Sequence, residues 1–251
     1  MNIVVLVKQV PDMNAVRIDK GTGQPILSDQ RVISSYDEYA VEEALRIKES
    51  EGGEVTVICA GPAKVKDALT RALAMGADRA ILVAIDDPDG LDTLGLARAL
   101  ADQIATAPFD LVIAGQNSDD YESGQVGPHL AELLDLPLVS SIKELTFEST
   151  TLVAKRDVED GTQTVATELP ALVMAITGLN EPRYPSLKGI MAAKKKPLET
   201  VTAAVSGPAR LAWTAPVAPE RQVAGVLVQD VPAGEAADRL VSWLGEHKLL
   251  P

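Results

Sequence analysis

A chain of 251 residues, 46% apolar and 24% charged, has the make-up of a soluble globular protein long enough to bury a substantial core. Its formal charge of −13 excludes a general nucleic-acid binder, because phosphate contacts need a basic surface. A single cysteine rules out an internal disulfide, and no apolar run reaches the roughly 18 residues of a membrane span.

Ile3-Val4-Val5-Leu6-Val7 reads as a strand buried on both faces, opening at Lys8-Gln9-Val10-Pro11-Asp12 into a loop. The run is too short for a secretory signal core and Lys8 closes it, so a cytoplasmic or matrix-like location is expected. Arg17-Ile18-Asp19 and Pro25-Ile26-Leu27 flank a glycine-rich turn and predict a small hairpin. Ser34 or Ser35 can cap a helix from Tyr36 to about Ser50, with Tyr36, Ala40, Val41, Ala44, Leu45 and Ile47 forming one apolar stripe.

A second buried strand is predicted over Glu54–Ala60, with Cys59 as a core thiol inside it. After the Gly61-Pro62 turn, a helix over Val65–Met75 is stopped by Gly76. Arg79–Val83 is a third strand, about Asp92–Ala105 a third helix, and Phe109–Ala114 a fourth strand. Strands alternating with helices through Pro137 predict an α/β fold: a mainly parallel, doubly covered, Rossmann-like sheet with right-handed crossovers.

Between Ala114 and the apolar positions Leu130, Leu133, Leu134 and Leu136 lies the polar loop Gly115–Gly127. A strand-to-helix junction exposes unpaired N–H groups and the positive end of a helix dipole, which favours a phosphate. The alternative is a ligand-free helix start capped by Ser123. The loop lacks G-x-x-x-x-G-K-[ST], so a monophosphate, or a nucleotide held without chemistry, suits it better than a hydrolysed triphosphate.

From Ser141 the pattern alternates over Ile142–Phe147, Thr151–Arg156 and Thr162–Thr167, with a hairpin turn at Glu159-Asp160-Gly161, which predicts an antiparallel extension. Leu172–Thr177 is expected to return to the main sheet. Ser186–Lys196 is a short amphipathic helix ending in three lysines; lysines there complement a helix C-terminus, so a solvated cap is the plain reading. Residues 199–224 have no sustained period and are expected to lie against another chain as an extended arm. A closing helix from Ala233 to about Glu246 is expected to bury Ala236, Leu240, Trp243 and Leu244.

The order of these signatures resembles the β subunit of electron transfer flavoproteins over nearly the full length. The matching pieces are Val5–Asp12, Tyr39–Ala44, Gly61-Pro62, Ala72–Arg79, Gly115–Gly127 and, most specific, Pro182–Lys196. The resemblance implies a heterodimer with an α subunit that carries most of an FAD site, and a structural AMP held by this chain, which has no catalytic role.

Carried over residue by residue, the AMP site comprises Leu6, Lys8, Ser34, Ser35, Tyr36, Asp37, Ala60, Asn117, Ser118, Asp119, Asp120, Ser123, Gly124, Gln125, Val126 and Gly127. The segment beginning at Leu187 corresponds to the family's recognition loop, with Leu187 as anchor and Lys188, Ile190, Met191, Lys194, Lys195 and Lys196 around it as docking residues. Acyl-CoA or other flavin dehydrogenases are the implied electron donors, and a quinone-linked oxidoreductase the implied acceptor. The domain organisation expected is 1–198 for the nucleotide-binding domain and 199–251 for the arm and helix packed on the partner subunit.

Two features depart from mitochondrial-type members. The loop is shorter and more acidic, with Asp119, Asp120 and Glu122, and Met13 stands where those members carry a tyrosine near the flavin. Relatives that bind a second FAD in place of AMP and bifurcate electrons are one alternative, and an adenine-nucleotide enzyme of similar fold is another. A pyrophosphatase-type ATP ligase needs a Ser-Gly-Gly-x-Asp-Ser loop after the first strand, which Lys8–Asp12 is not, and a nucleotide-binding stress protein has no use for Pro182–Lys196. His129 and His247 are the only histidines, so a His/Cys metal site is not expected.

Overall fold

The computed structural model describes residues 1–203, 209–219 and 225–250. Two compact units are present, Met1–Pro216 and Val217–Pro251. In chain order the first holds β1 (Asn2–Leu6), β2 (Gln9–Pro11), β3 (Arg17–Ile18), β4 (Pro25–Ile26), β5 (Arg31–Ile33), α1 (Ser35–Glu51), β6 (Glu54–Gly61), α2 (Lys66–Met75) and β7 (Arg79–Ala84). It continues with α3 (Thr93–Ile104), β8 (Leu111–Gly115), α4 (Val126–Leu133), β9 (Leu138–Glu148), β10 (Thr151–Val158), β11 (Gly161–Glu168), β12 (Ala171–Ala175), α5 (Leu187–Ala193) and β13 (Leu198–Thr202). The second unit holds α6 (Ala233–Glu246).

Nine strands make one sheet in the order β11-β10-β9-β12-β8-β1-β6-β7-β13. All neighbours from β9 to β13 run parallel, while β9, β10 and β11 pair antiparallel as the alternating sequence predicts. The apolar strands divide their side chains between two cores at a period of two. Val5, Val57, Cys59, Ile113 and Val173 face one core with α1 and α2, whereas Leu6, Ile58, Val112, Leu172 and Met174 face the other with α3 and α4. Helices thus cover both faces of the central parallel strands.

Cys59 is buried in the first core, and the cost of desolvating a thiolate there pushes its thiol up to about 12. It is a packing residue. The predicted hairpin is present as β3 paired with β4, and Pro11 ends a second small ladder between β2 and β5.

Three expectations are corrected. Ser123 does not cap α4, which begins at Val126 after Gln125. Residues 199–202, read as part of an arm without period, belong to β13, which extends the sheet beside β7. Ala236, Leu240, Trp243 and Leu244 all lie on α6, but no residue of that helix is buried within this chain. Among the described residues between Thr202 and Ala233 there is no helix or strand, and Gly207 and Pro208 of the expected arm lie outside the described residues.

Candidate nucleotide site

The chain leaves β1 through α1 to β6 on one side, then later returns to place β8 on the other side of β1. Such a reversal opens a crevice between the crossover connections at the carboxyl ends of the strands. Into the crevice beyond β1 and β8 the fold brings Lys8, the start of α1 and the loop after Gly115, which are far apart in sequence.

Asp37 fastens this corner from beneath. It is buried, and its carboxylate accepts hydrogen bonds from the backbone N–H of Lys8 (2.7 Å) and of Gly115 (3.2 Å). Burial raises its pKa to about 8, against the pull of these two donors. Gly115 has to be glycine here: a Cβ would run into the Asp37 carboxylate and the backbone of Tyr36.

The loop is fastened from above by its own acids. Asp119 accepts from the backbone N–H and the hydroxyl of Ser35, each at 2.7 Å, so it caps α1 from another part of the chain. The fully buried Ser34 makes no side-chain cap within its own helix; its hydroxyl instead accepts from the N–H of Asp119 at 3.3 Å. Lys8 pairs with Asp120 at 2.7 Å, donates to the Ser118 hydroxyl at 3.3 Å and lies over the Tyr121 ring. Two of the three acids that make the loop acidic, Asp119 and Asp120, are therefore matched by donors inside the fold.

Gly124 takes a left-handed conformation with φ of 61°, and a Cβ there would press on the Asn117 side-chain oxygen. Gln125 accepts from the Thr93 hydroxyl at 2.9 Å, tying the loop to the start of α3. A Cβ at Gly127 would meet the Sδ and Cε of Met174 on β12, so the end of that methionine would have to shift to admit one. Gln125 makes no side-chain cap and the first turn of α4 holds no acid, so among the described residues the N–H groups at Val126 and Gly127 head a helix start with no capping side chain of its own. Leu6 and Ala60 lie near the carboxyl ends of neighbouring strands at this sheet edge, and Ser123 is half-buried in the loop.

Some participants escape a reading by sequence alone. Gln116 reaches across to β9, where its side-chain oxygen accepts from the N–H of Ser141 at 2.8 Å. Ser141 has φ of 58° and sits in a register shift of β9. Trp213 packs against Tyr121 at a tilt, with ring centroids 4.6 Å apart, and the N–H of Arg210 reaches the Asp92 carboxylate at 2.7 Å, so part of the non-periodic tail lies over the loop. Asp92 announces itself as a helix cap; nothing in the sequence signals Trp213.

A family model described as the electron transfer flavoprotein domain matches residues 26–206. The chain belongs to the electron transfer flavoprotein β-subunit family. It is 41% identical to the electron transfer flavoprotein subunit beta of Bacillus subtilis over 252 aligned positions, 97% of each chain. The same-named subunits of Thermoanaerobacterium thermosaccharolyticum and Mycobacterium tuberculosis strain H37Rv are 44% and 40% identical, over 81% and 82% of this chain and 79% and 80% of theirs.

The segment Pro182–Lys196, on which the resemblance leans most, contains α5. Leu187 is 77% exposed, and Met191 and Ile190 are exposed beside it. Lys188, Lys194 and Lys195 are exposed too, whereas the Lys196 ammonium is committed to the protein, donating to the carbonyl oxygens of Leu73 (3.0 Å) and Ala77 (2.6 Å). Among the described residues no cluster of His, Cys, Asp and Glu suits a metal ion, and no helix is long and apolar enough to cross a membrane.

Proposed function

We propose that this chain is the non-catalytic β subunit of a heterodimeric electron carrier, holding a structural AMP and completing an FAD site whose larger part lies on the α subunit. The observation that carries the reading is the crevice at the β1/β8 reversal. There Lys8, Ser35, Asp37, Asp119 and Asp120 are bonded to one another or to the loop that leads into α4, and Asp119 and Asp120 are already paired, which supports a phosphate rather than a side chain at that helix start.

A nucleotide phosphate suits that helix start, since the N–H groups of Val126 and Gly127 supply donors and the dipole favours the charge. Gly124 and Gly127 let the backbone fold close without side chains in the way. The flavin, when bound, supplies the electron-accepting chemistry. This chain's part is to bind, orient and present. The exposed α5 surface around Leu187 is the contact for acyl-CoA or other flavin dehydrogenases, with a quinone-linked oxidoreductase as the acceptor.

The test is to purify the chain with its α partner, denature the complex and identify the released nucleotides. One FAD and one AMP per heterodimer is the expected result. Two FAD would replace the simple carrier by an electron-bifurcating relative, and no adenine nucleotide besides FAD would overturn the AMP assignment.

A further inference from the structure

The excursion between β12 and β13 is fastened at its entry, middle and exit. At the entry, Arg183 straddles α1: its Nε and Nη2 donate to Glu42 at 2.8 and 2.9 Å, its backbone N–H reaches the same carboxylate at 3.1 Å, and Nη2 also reaches Glu49 at 3.2 Å. Glu42 is buried, so the pair is shielded from water on one side. Asn180 adds bonds to the Tyr39 carbonyl (3.0 Å) and the Glu43 carboxylate (2.9 Å).

In the middle, Gly189 lies so close to the carbonyl oxygen of Ala74 that a Cβ has no room. At the exit, the Lys196 ammonium closes on the last carbonyls around the C-terminus of α2. The opposite face of the excursion points to solvent, with Tyr184 88%, Leu187 77% and Met191 64% exposed.

A helix of seven residues does not hold its shape in water alone. Here the two long cations replace the missing length, one at each end. We propose that Arg183 and Lys196 are positioning residues for partner docking: by clamping the excursion to α1 and α2 they fix Leu187 and Met191 in binding geometry before a partner arrives. The inference rests on the reading of α5 as the docking element. Lys188, Lys194 and Lys195 form no ion pair among the described residues, which fits a partner surface with an apolar cleft and an acidic rim.

Preorganisation acts on association. A loosened segment has to be ordered at every encounter, so affinity falls while the flavin chemistry is untouched. The experiment uses the flavin-loaded heterodimer, an acyl-CoA dehydrogenase as donor, and the variants Arg183→Met, Arg183→Lys and Lys196→Met. Arg183→Lys keeps a cation beside buried Glu42, which protects folding, but loses the forked geometry.

The expected outcome is an apparent KM for the carrier raised roughly tenfold at unchanged kcat. Flavin and AMP content stay at the wild-type level, and amide exchange over 183–193 quickens without any dehydrogenase present. Arg183→Lys combined with Leu187→Ala should be less severe than the product of the two, because both act through one contact. Unchanged KM in all three variants, or fully multiplicative effects, would overturn the proposal. If Leu187→Ala itself left KM unchanged, the docking reading would be the part that failed; a normal Leu187→Ala defect beside silent Arg183 and Lys196 variants sinks the positioning role alone.

Discussion

Asp37 and Lys8 are joined by a 2.7 Å hydrogen bond in which a buried carboxylate accepts from the backbone N–H just beyond β1. The same carboxylate holds the end of β8 through Gly115, so one acid on α1 sets the spacing of the two strand ends that flank the crevice.

That acid gives the fold a pH dependence of definite sign. Asp37 ionises near its ordinary 3.8 in the unfolded chain and near 8 when folded, the rise coming from burial. Between those values the folded state carries a proton that the unfolded state lacks, so this group's contribution is greatest below the lower value and is lost as pH rises through the upper one. Going from about pH 5 to about pH 9, the wild-type chain should lose urea resistance relative to Asp37→Asn, whose amide does not titrate. Parallel pH profiles for the two proteins would refute this.

Asp119 predicts a different outcome from a phosphate contact. Since its carboxylate caps α1 through Ser35, Asp119→Ala should cost about 1 kcal/mol of stability and lower the thermal midpoint. It should also speed nucleotide release, because Ser118 and Asp120 lose the neighbour that holds their loop against α1. A variant as stable as the wild type would show that the cap contributes nothing.

What could be read beforehand follows from how local each signal is. Ile3–Val7 and Leu111–Ala114 are unbroken apolar runs between turn signals, and burial on both faces leaves them no other place in an α/β fold. The polar loop Gly115–Gly127 stands out in the sequence as a strand-to-helix junction. Its fastening does not, because Ser35 and Asp119 meet across 84 residues of chain. β13 is not legible in the sequence, since Leu198-Glu199-Thr200-Val201-Thr202 offers only two apolar side chains at a sheet edge, ahead of a tail without period. Lys196 looked like its neighbours in a lysine run; only the packing of α5 on α2 separates it from them.

Gly124 is the sharpest test of the crevice itself. Its left-handed backbone disfavours any β-branched residue, and the Asn117 side chain stands where a Cβ would project. Gly124→Val should leave the sheet folded while AMP in the purified heterodimer falls well below one equivalent. Full AMP content with wild-type flavin would place the nucleotide elsewhere.

The remaining prediction concerns α6. Leu240, Val241 and Trp243 are exposed on a helix with no buried residue, beside the half-exposed Leu244, and Trp243 stacks on His247 with centroids 4.1 Å apart. Leu240, Trp243 and Leu244 follow helical spacing, so they share one face, and an isolated amphipathic helix gains most of its stability from burying such a face. The prediction is that the α subunit of the proposed heterodimer covers this face. Sizing of the chain with its α partner should give a tight one-to-one complex, and Trp243→Glu should weaken that complex by at least about tenfold, as for a buried aromatic anchor. Because Trp243 lies outside the buried core of its own chain, the variant should keep the thermal midpoint of the lone subunit. Wild-type affinity for the α partner in Trp243→Glu would mean that this face of α6 is not part of the interface.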